Sequence, residues 1–183
     1  MDLEGLISFA KPFYESKDLM HDLTHIDRML HSAERLLKHY PEITDHDLIV
    51  YGCYFHGFIY SHESAIRLYL NGLSLPGTYI DKIVTAAWES QKDEVPESLE
   101  GKLLHDAHRI EGGKTYLIVK SLCTGTARGQ SLEQTLDYFE AHVLSKGVCY
   151  LPEAQFIYKE MQQFADMFIK DLRASLPASH KGI

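Results

Sequence analysis

His56 stands in the run Tyr54-Phe55-His56-Gly57-Phe58, inside an apolar stretch from Leu48 to Tyr60. A buried imidazole needs a partner for each ring nitrogen, so a histidine on a packing face is either a satisfied core residue or a metal ligand. Helical projection puts two further polar groups in the same position. His25 shares a face with Met29, Ala33 and Leu36, and Asp106 shares one with Leu99, Leu103 and Ile110; His56 lies with Ile49, Cys53 and Tyr60. An unpaired buried carboxylate is costly, so Asp106 requires either a cation, with Arg28 and Arg109 as candidates, or a metal. A single divalent ion would satisfy all three groups, and two histidines with one carboxylate form a known ligand set for such ions. Each residue taken alone also fits a structural role; the weight of the shared-ion reading lies in the coincidence on three segments, and at this point both readings stay open.

The segments that must position these residues all have a helical period, with no sustained alternation of the strand type. The fold class expected is all-α, a single-domain helical bundle. A first helix is predicted over Leu3 to Glu15 with Pro12 as a kink or restart. A second runs from Leu23 to Tyr40, capped by Asp22 or Thr24 and stopped at Pro41, and a third follows Thr44 with Asp45 and Asp47 in its first turn. Ser61 resembles the cap of a helix ending at Asn71-Gly72, and another begins near Pro76 and carries Trp88. Pro96 starts a helix that closes at Gly112-Gly113. Further helices are expected over Lys114 to Leu122, Leu132 to His142 and Pro152 to Leu172. The tail from Ala174 to Ile183 reads as frayed. The core is expected at about residues 18–125, with helices over about 131–173 packed on it.

Composition excludes several classes. A chain of 183 residues with a net charge of −8 and no Lys/Arg cluster is not built to neutralise a phosphate backbone, which argues against extended nucleic acid as a partner. Cys53, Cys123 and Cys149 form no CxxC pair and suit a reducing compartment. The first residues lack a secretory h-region, and the longest apolar run is too short to span a bilayer, so cytoplasmic residence without a membrane segment is expected. Homo-oligomerisation is left open.

With those residues in view, the chain resembles the HD superfamily of metal-dependent phosphohydrolases, in its small single-domain form. The matching elements are Asp-Leu-Thr-His25-Ile-Asp-Arg28, the histidine ending an apolar helix, Ser61-His62-Glu63 just after it, and Leu-Leu-His-Asp106-Ala-His-Arg109, together spanning about Asp22 to Gly113. The resemblance implies an all-α fold and a divalent ion held by His25, His56 and Asp106, with His62 as a further ligand. Mn, Fe, Co, Ni, Zn and Mg are all open as its identity. Arg28 and Arg109 would lie near a substrate phosphate, and Glu63 would serve as a general acid or base beside a bound water. The activity implied is hydrolysis of a small phosphorylated metabolite or a nucleotide.

The chain departs from that pattern at the residue that names it. Where the doublet should read His-Asp, the sequence is His56-Gly57; where a further histidine is expected after Trp88 there is Gln91; and the common second Asp of the late motif is His108. These losses argue against a dinuclear centre and leave a mononuclear one with three protein ligands and open positions for water. They equally suit a catalytically degenerate protein that keeps the fold and binds a ligand without hydrolysing it. Each remaining residue has a plain alternative reading: Arg28 and Arg109 as surface ion pairs, Glu63 as a helix-dipole partner, Trp88 and Tyr54 as core aromatics, and His21 and His105 as exposed neighbours. His108 is a low-ranked substitute ligand.

Overall fold

The computed structural model describes residues 1–176 apart from 16 and 19, and among these it contains helices and no strand. Helix α1 covers Leu3–Ala10, where Asp2 caps the first turn by accepting from the Gly5 amide at 3.0 Å. Pro12 does end it: the chain tightens into a 3₁₀ turn over Lys11–Phe13. Helix α2, Leu23–Leu37, begins on Asp22, whose Oδ1 accepts from the Thr24 amide at 2.9 Å. Helix α3, His46–His56, is capped by Asp45 and buries almost every residue from Leu48 onward. That continuous burial is why the sequence there reads as an unbroken apolar run and not as an amphipathic stripe.

Helix α4, Ile59–Gly72, starts two residues before the expected Ser61 cap and is kinked at His62 (φ −135°, ψ 26°). Helix α5 spans Gly77–Glu89, and α6 spans Leu99–Arg109, entered through Ser98 and not Pro96 because the Ser98 hydroxyl accepts from the Gly101 amide. Helix α7, Gly113–Ala127, is five residues longer at its C-terminus than predicted. Helix α8, Leu132–His142, opens with a capping box of Ser131 and Gln134. Helix α9, Pro152–Ser175, continues through Ala174 and Ser175, so the expected fraying there is not seen; residues 177–183 lie outside the described residues.

Helices α1 to α6 enclose the main hydrophobic core, to which the start of α9 contributes Leu151, Ala154 and Met161. Helices α7, α8 and the rest of α9 close on a second cluster of Ile118, Leu136, Phe139, Ala165 and Ile169. Among the described residues no helix is long and apolar enough to cross a membrane.

Candidate metal centre and adjoining cavity

Helices α2, α3 and α6 bring three imidazoles together. One ring nitrogen from each of His25, His56 and His108 lies within 4.8 Å of the other two, and the ring centroids are 4.2 Å apart for His56–His108, 5.4 Å for His25–His108 and 5.6 Å for His25–His56. Burial lowers the pKa of all three below the usual histidine value, and for His56 and His108 the neighbouring imidazoles add to the effect. Neutral rings with free lone pairs are the form that binds a metal.

The tautomer of His56 follows from its surroundings. Ser90 Oγ donates to the Ala87 carbonyl at 2.6 Å, so at 2.8 Å from His56 Nδ1 it must accept, which places the ring proton on Nδ1 and leaves the Nε2 lone pair for the cluster. His25 Nδ1 lies 2.8 Å from Glu111 Oε2, within ion-pair reach but without forming a hydrogen bond. A carboxylate or hydroxyl behind a ligating imidazole is the usual way its orientation is held. His108 Nδ1 is likewise buried with no hydrogen-bond partner among the described residues.

A metal ion fits this set. All donors are nitrogen, and two buried ring nitrogens of the set, His25 Nδ1 and His108 Nδ1, have no hydrogen-bond partner among the described residues. Imidazole donors without a carboxylate suit Zn, Co, Ni or Fe better than Mg.

Asp106, expected as the third ligand, lies outside the cluster. Its carboxylate accepts from the backbone amides of Tyr150 (2.8 Å) and Leu151 (2.7 Å), with His105 Nδ1 3.0 Å away. Neither Arg28 nor Arg109 is its partner; the entry to α9 is. His105, expected to be exposed, is buried beside it against the Tyr150 ring.

His62 is also outside the cluster, because the α4 kink leaves its exposed ring packed against Phe13 with centroids 4.8 Å apart. Glu63 is held on both oxygens, by Arg67 Nε and Trp88 Nε1 at 2.7 Å each; those bonds lower its pKa and tie α4 to α5. Gln91 donates to the His56 and Ala87 carbonyls, so it braces the end of α3 and is no substitute ligand.

Gly57 is closed to any side chain. Its amide donates to Tyr14 Oη at 3.0 Å, its carbonyl accepts from Lys17 Nζ at 2.5 Å, and a Cβ would stand 2.5 Å from the Tyr14 oxygen and 2.6 Å from the Lys17 nitrogen. The place where the resemblance expects a carboxylate is thus filled by a phenol and an ammonium group.

Behind His25 lies a network that the periodicity did not reveal. Glu111, buried two residues past α6, accepts from Arg28 Nε at 2.7 Å and Lys120 Nζ at 2.9 Å as well as facing His25. Burial alone would raise its pKa, but His25 and Lys120 outweigh it and hold the carboxyl at about 2. Arg28 is engaged here, with further bonds to Thr24 and Met20 and a seat over the Tyr116 ring.

His108 also forms part of the wall of a cavity of about 450 Å³. Around it stand Lys92, Arg109, Lys120, Arg128 and Lys146, with His21 and His142, against a single carboxylate, Asp93. On a protein of net charge −8 this concentration of cations in one concavity focuses positive potential there. Arg109 donates through Nη2 to the Lys92 carbonyl, while its Nε is buried without a described partner.

No family model and no curated protein matches the sequence. The fold does have solved counterparts. Bacillus subtilis YpgQ, in a crystal structure with ADP, superposes with a TM-score of 0.75 at 18% identity over 94% of this chain and 98% of that one. A second YpgQ structure gives 0.75 at 17% identity over 96% and 97%. The Lin1889 protein of Listeria innocua gives 0.68 at 21% identity over 95% and 98%. At these identities the likeness is one of fold, an all-α helical architecture shared over nearly the whole chain.

Proposed function

We propose that the protein is a metal-dependent phosphohydrolase acting on a small phosphorylated compound, a nucleotide first among them, through one divalent ion held by His25, His56 and His108. What carries this reading is the position of His108, which belongs both to the imidazole cluster and to the wall of the cation-lined cavity. An ion held there would supply Lewis acidity and lower the pKa of water bound to it. The protein's own groups do the rest. Ser90 and Glu111 hold the His56 and His25 rings, and Arg109, Lys92 and Lys120 offset phosphate charge at the mouth of the cluster. YpgQ, which shares this fold, was crystallised in complex with ADP, a ligand of the class this reading calls for.

Protein purified without chelator is expected to carry close to one Zn, Co, Ni or Fe per chain by elemental analysis and to release phosphate or pyrophosphate from a nucleotide panel. His108→Ala should lose both. Absence of stoichiometric metal together with no turnover after loading with each of these ions would end this reading. A second reading, ligand binding without hydrolysis, is favoured by the lack of any carboxylate in the cluster and the closed position at Gly57. It is distinguished by ADP binding with no turnover in metal-loaded protein.

A further inference from the structure

The cavity follows one side of α7, where Leu117, Lys120, Ser121, Thr124 and Arg128 recur at helical spacing. From Lys120 to Arg128 this wall extends about 12 Å at 1.5 Å per residue. Its two ends differ in chemistry. Beside His108 the lining is cationic, with Arg109 and Lys120.

Towards the turn between α7 and α8 the lining becomes planar and hydrogen-bonding. The Arg128 guanidinium lies over the Tyr138 ring, 5.7 Å from its centroid, and Gln130 adds an amide that can both donate and accept. The hydroxyls along this wall are not equivalent. Ser121 Oγ donates to the Leu117 carbonyl and Thr135 Oγ1 to the Ser131 carbonyl, both at 2.9 Å, whereas Thr124 Oγ1 is buried with no partner among the described residues. A buried hydroxyl left unbonded beside a cavity is costly unless a ligand completes it.

We propose that the cavity orients its ligand along α7, with phosphates at the His108 end and a planar heteroaromatic head, such as a nucleobase, against Arg128 and Tyr138, where Thr124 and Gln130 are the specificity-determining residues. The Arg–Tyr stack presents a flat surface suited to a base, and Thr124 and Gln130 supply the hydrogen bonds that read its edge. This rests on the phosphorylated-ligand reading above and adds which end of the ligand is recognised and by what.

The test compares ADP with inorganic pyrophosphate, which keeps the charge and lacks the head, by calorimetric titration of wild type, Thr124→Val, Gln130→Ala and Lys120→Gln. Wild type should bind ADP more tightly than pyrophosphate. Thr124→Val and Gln130→Ala should each weaken ADP about tenfold, the scale of one lost neutral hydrogen bond, and leave pyrophosphate within twofold. Lys120→Gln should weaken both ligands. Equal wild-type affinity for the two, or head-end variants that shift both alike or neither, overturns the orientation while leaving the phosphate reading standing. Wild type that binds neither ligand overturns both.

Discussion

Asp106 and His108, two residues apart on α6, point to opposite sides of the helix and stand under opposite conditions. Asp106 is buried with its partners supplied by the protein, His105 beside it and the Tyr150 and Leu151 amides donating to its carboxylate. His108 buries a ring nitrogen that no described residue satisfies and lines a cavity, and its neighbour Arg109 does the same with its Nε. A buried polar group whose partners are complete belongs to the fold. One with no partner among the described residues has a bond left for water or a ligand to complete.

The sharpest way to break this contrast is at Asp106. Asp106→Ala should cost about 4 kcal/mol, because it removes an acceptor shared by two buried backbone amides and leaves them unmet. Urea unfolding would measure it, and the folded fraction should keep its metal. Loss of metal at unchanged stability would make Asp106 a ligand after all. His108→Ala should do the reverse. Its stability should stay within about 1 kcal/mol of wild type, since an orphaned nitrogen leaves with the ring, while affinity for zinc in a chelator competition should fall at least a hundredfold, or about 2.7 kcal/mol.

Much of the fold was legible because capping and breaking residues act locally: Asp22, Pro12 and Ser131 mark their helices without reference to anything distant. The burial of His25, His56 and Asp106 was legible for a related reason, each being the polar exception on an apolar face. The partners of Asp106 and the place of His108 were not, because α6 is buried on two sides. Residues two apart on a helix point about 200° from each other, so an apolar stripe through Leu103 and Ile110 identifies one buried side and says nothing of the other. What satisfies Asp106 comes from 44 residues further on, a pairing that no local pattern encodes. The signal for His108 was the substitution in the late motif, an imidazole where the resemblance expects a carboxylate, and it ranked below the intact Asp. Glu111 gave no signal at all, since one Glu beyond a helix end reads as surface until Arg28 and Lys120 converge on it.

Gly57 extends the comparison to α3. Its backbone is ordinary right-handed helix (φ −73°, ψ −12°), so nothing in the chain's conformation demands glycine; Tyr14 and Lys17 do. Gly57→Ala should cost about 2 kcal/mol by forcing those two groups aside, read as a drop in the unfolding midpoint. Gly57→Asp, which rebuilds the doublet in sequence, should be at least as destabilising and should not raise metal content. A gain of metal on Gly57→Asp would mean that Lys17 and Tyr14 yield easily and that the position is still a latent ligand.

The smallest expected effect tests whether groups behind the cluster matter to it. Ser90 is fully buried, accepts a hydrogen bond from His56 Nδ1 and donates one to the Ala87 carbonyl. Ser90→Ala removes the acceptor and leaves little void. If Ser90 only packs, metal affinity is unchanged and stability falls by about 1 kcal/mol for the lost hydrogen bond. If it holds the tautomer and the ring plane, zinc affinity drops about tenfold, and the His56 ring, free to place its proton on either nitrogen, shows a changed nitrogen chemical shift in the metal-free protein. Affinity and tautomer must move together, because the same hydrogen bond governs both; either one moving alone separates the orientation of His56 from its ability to bind.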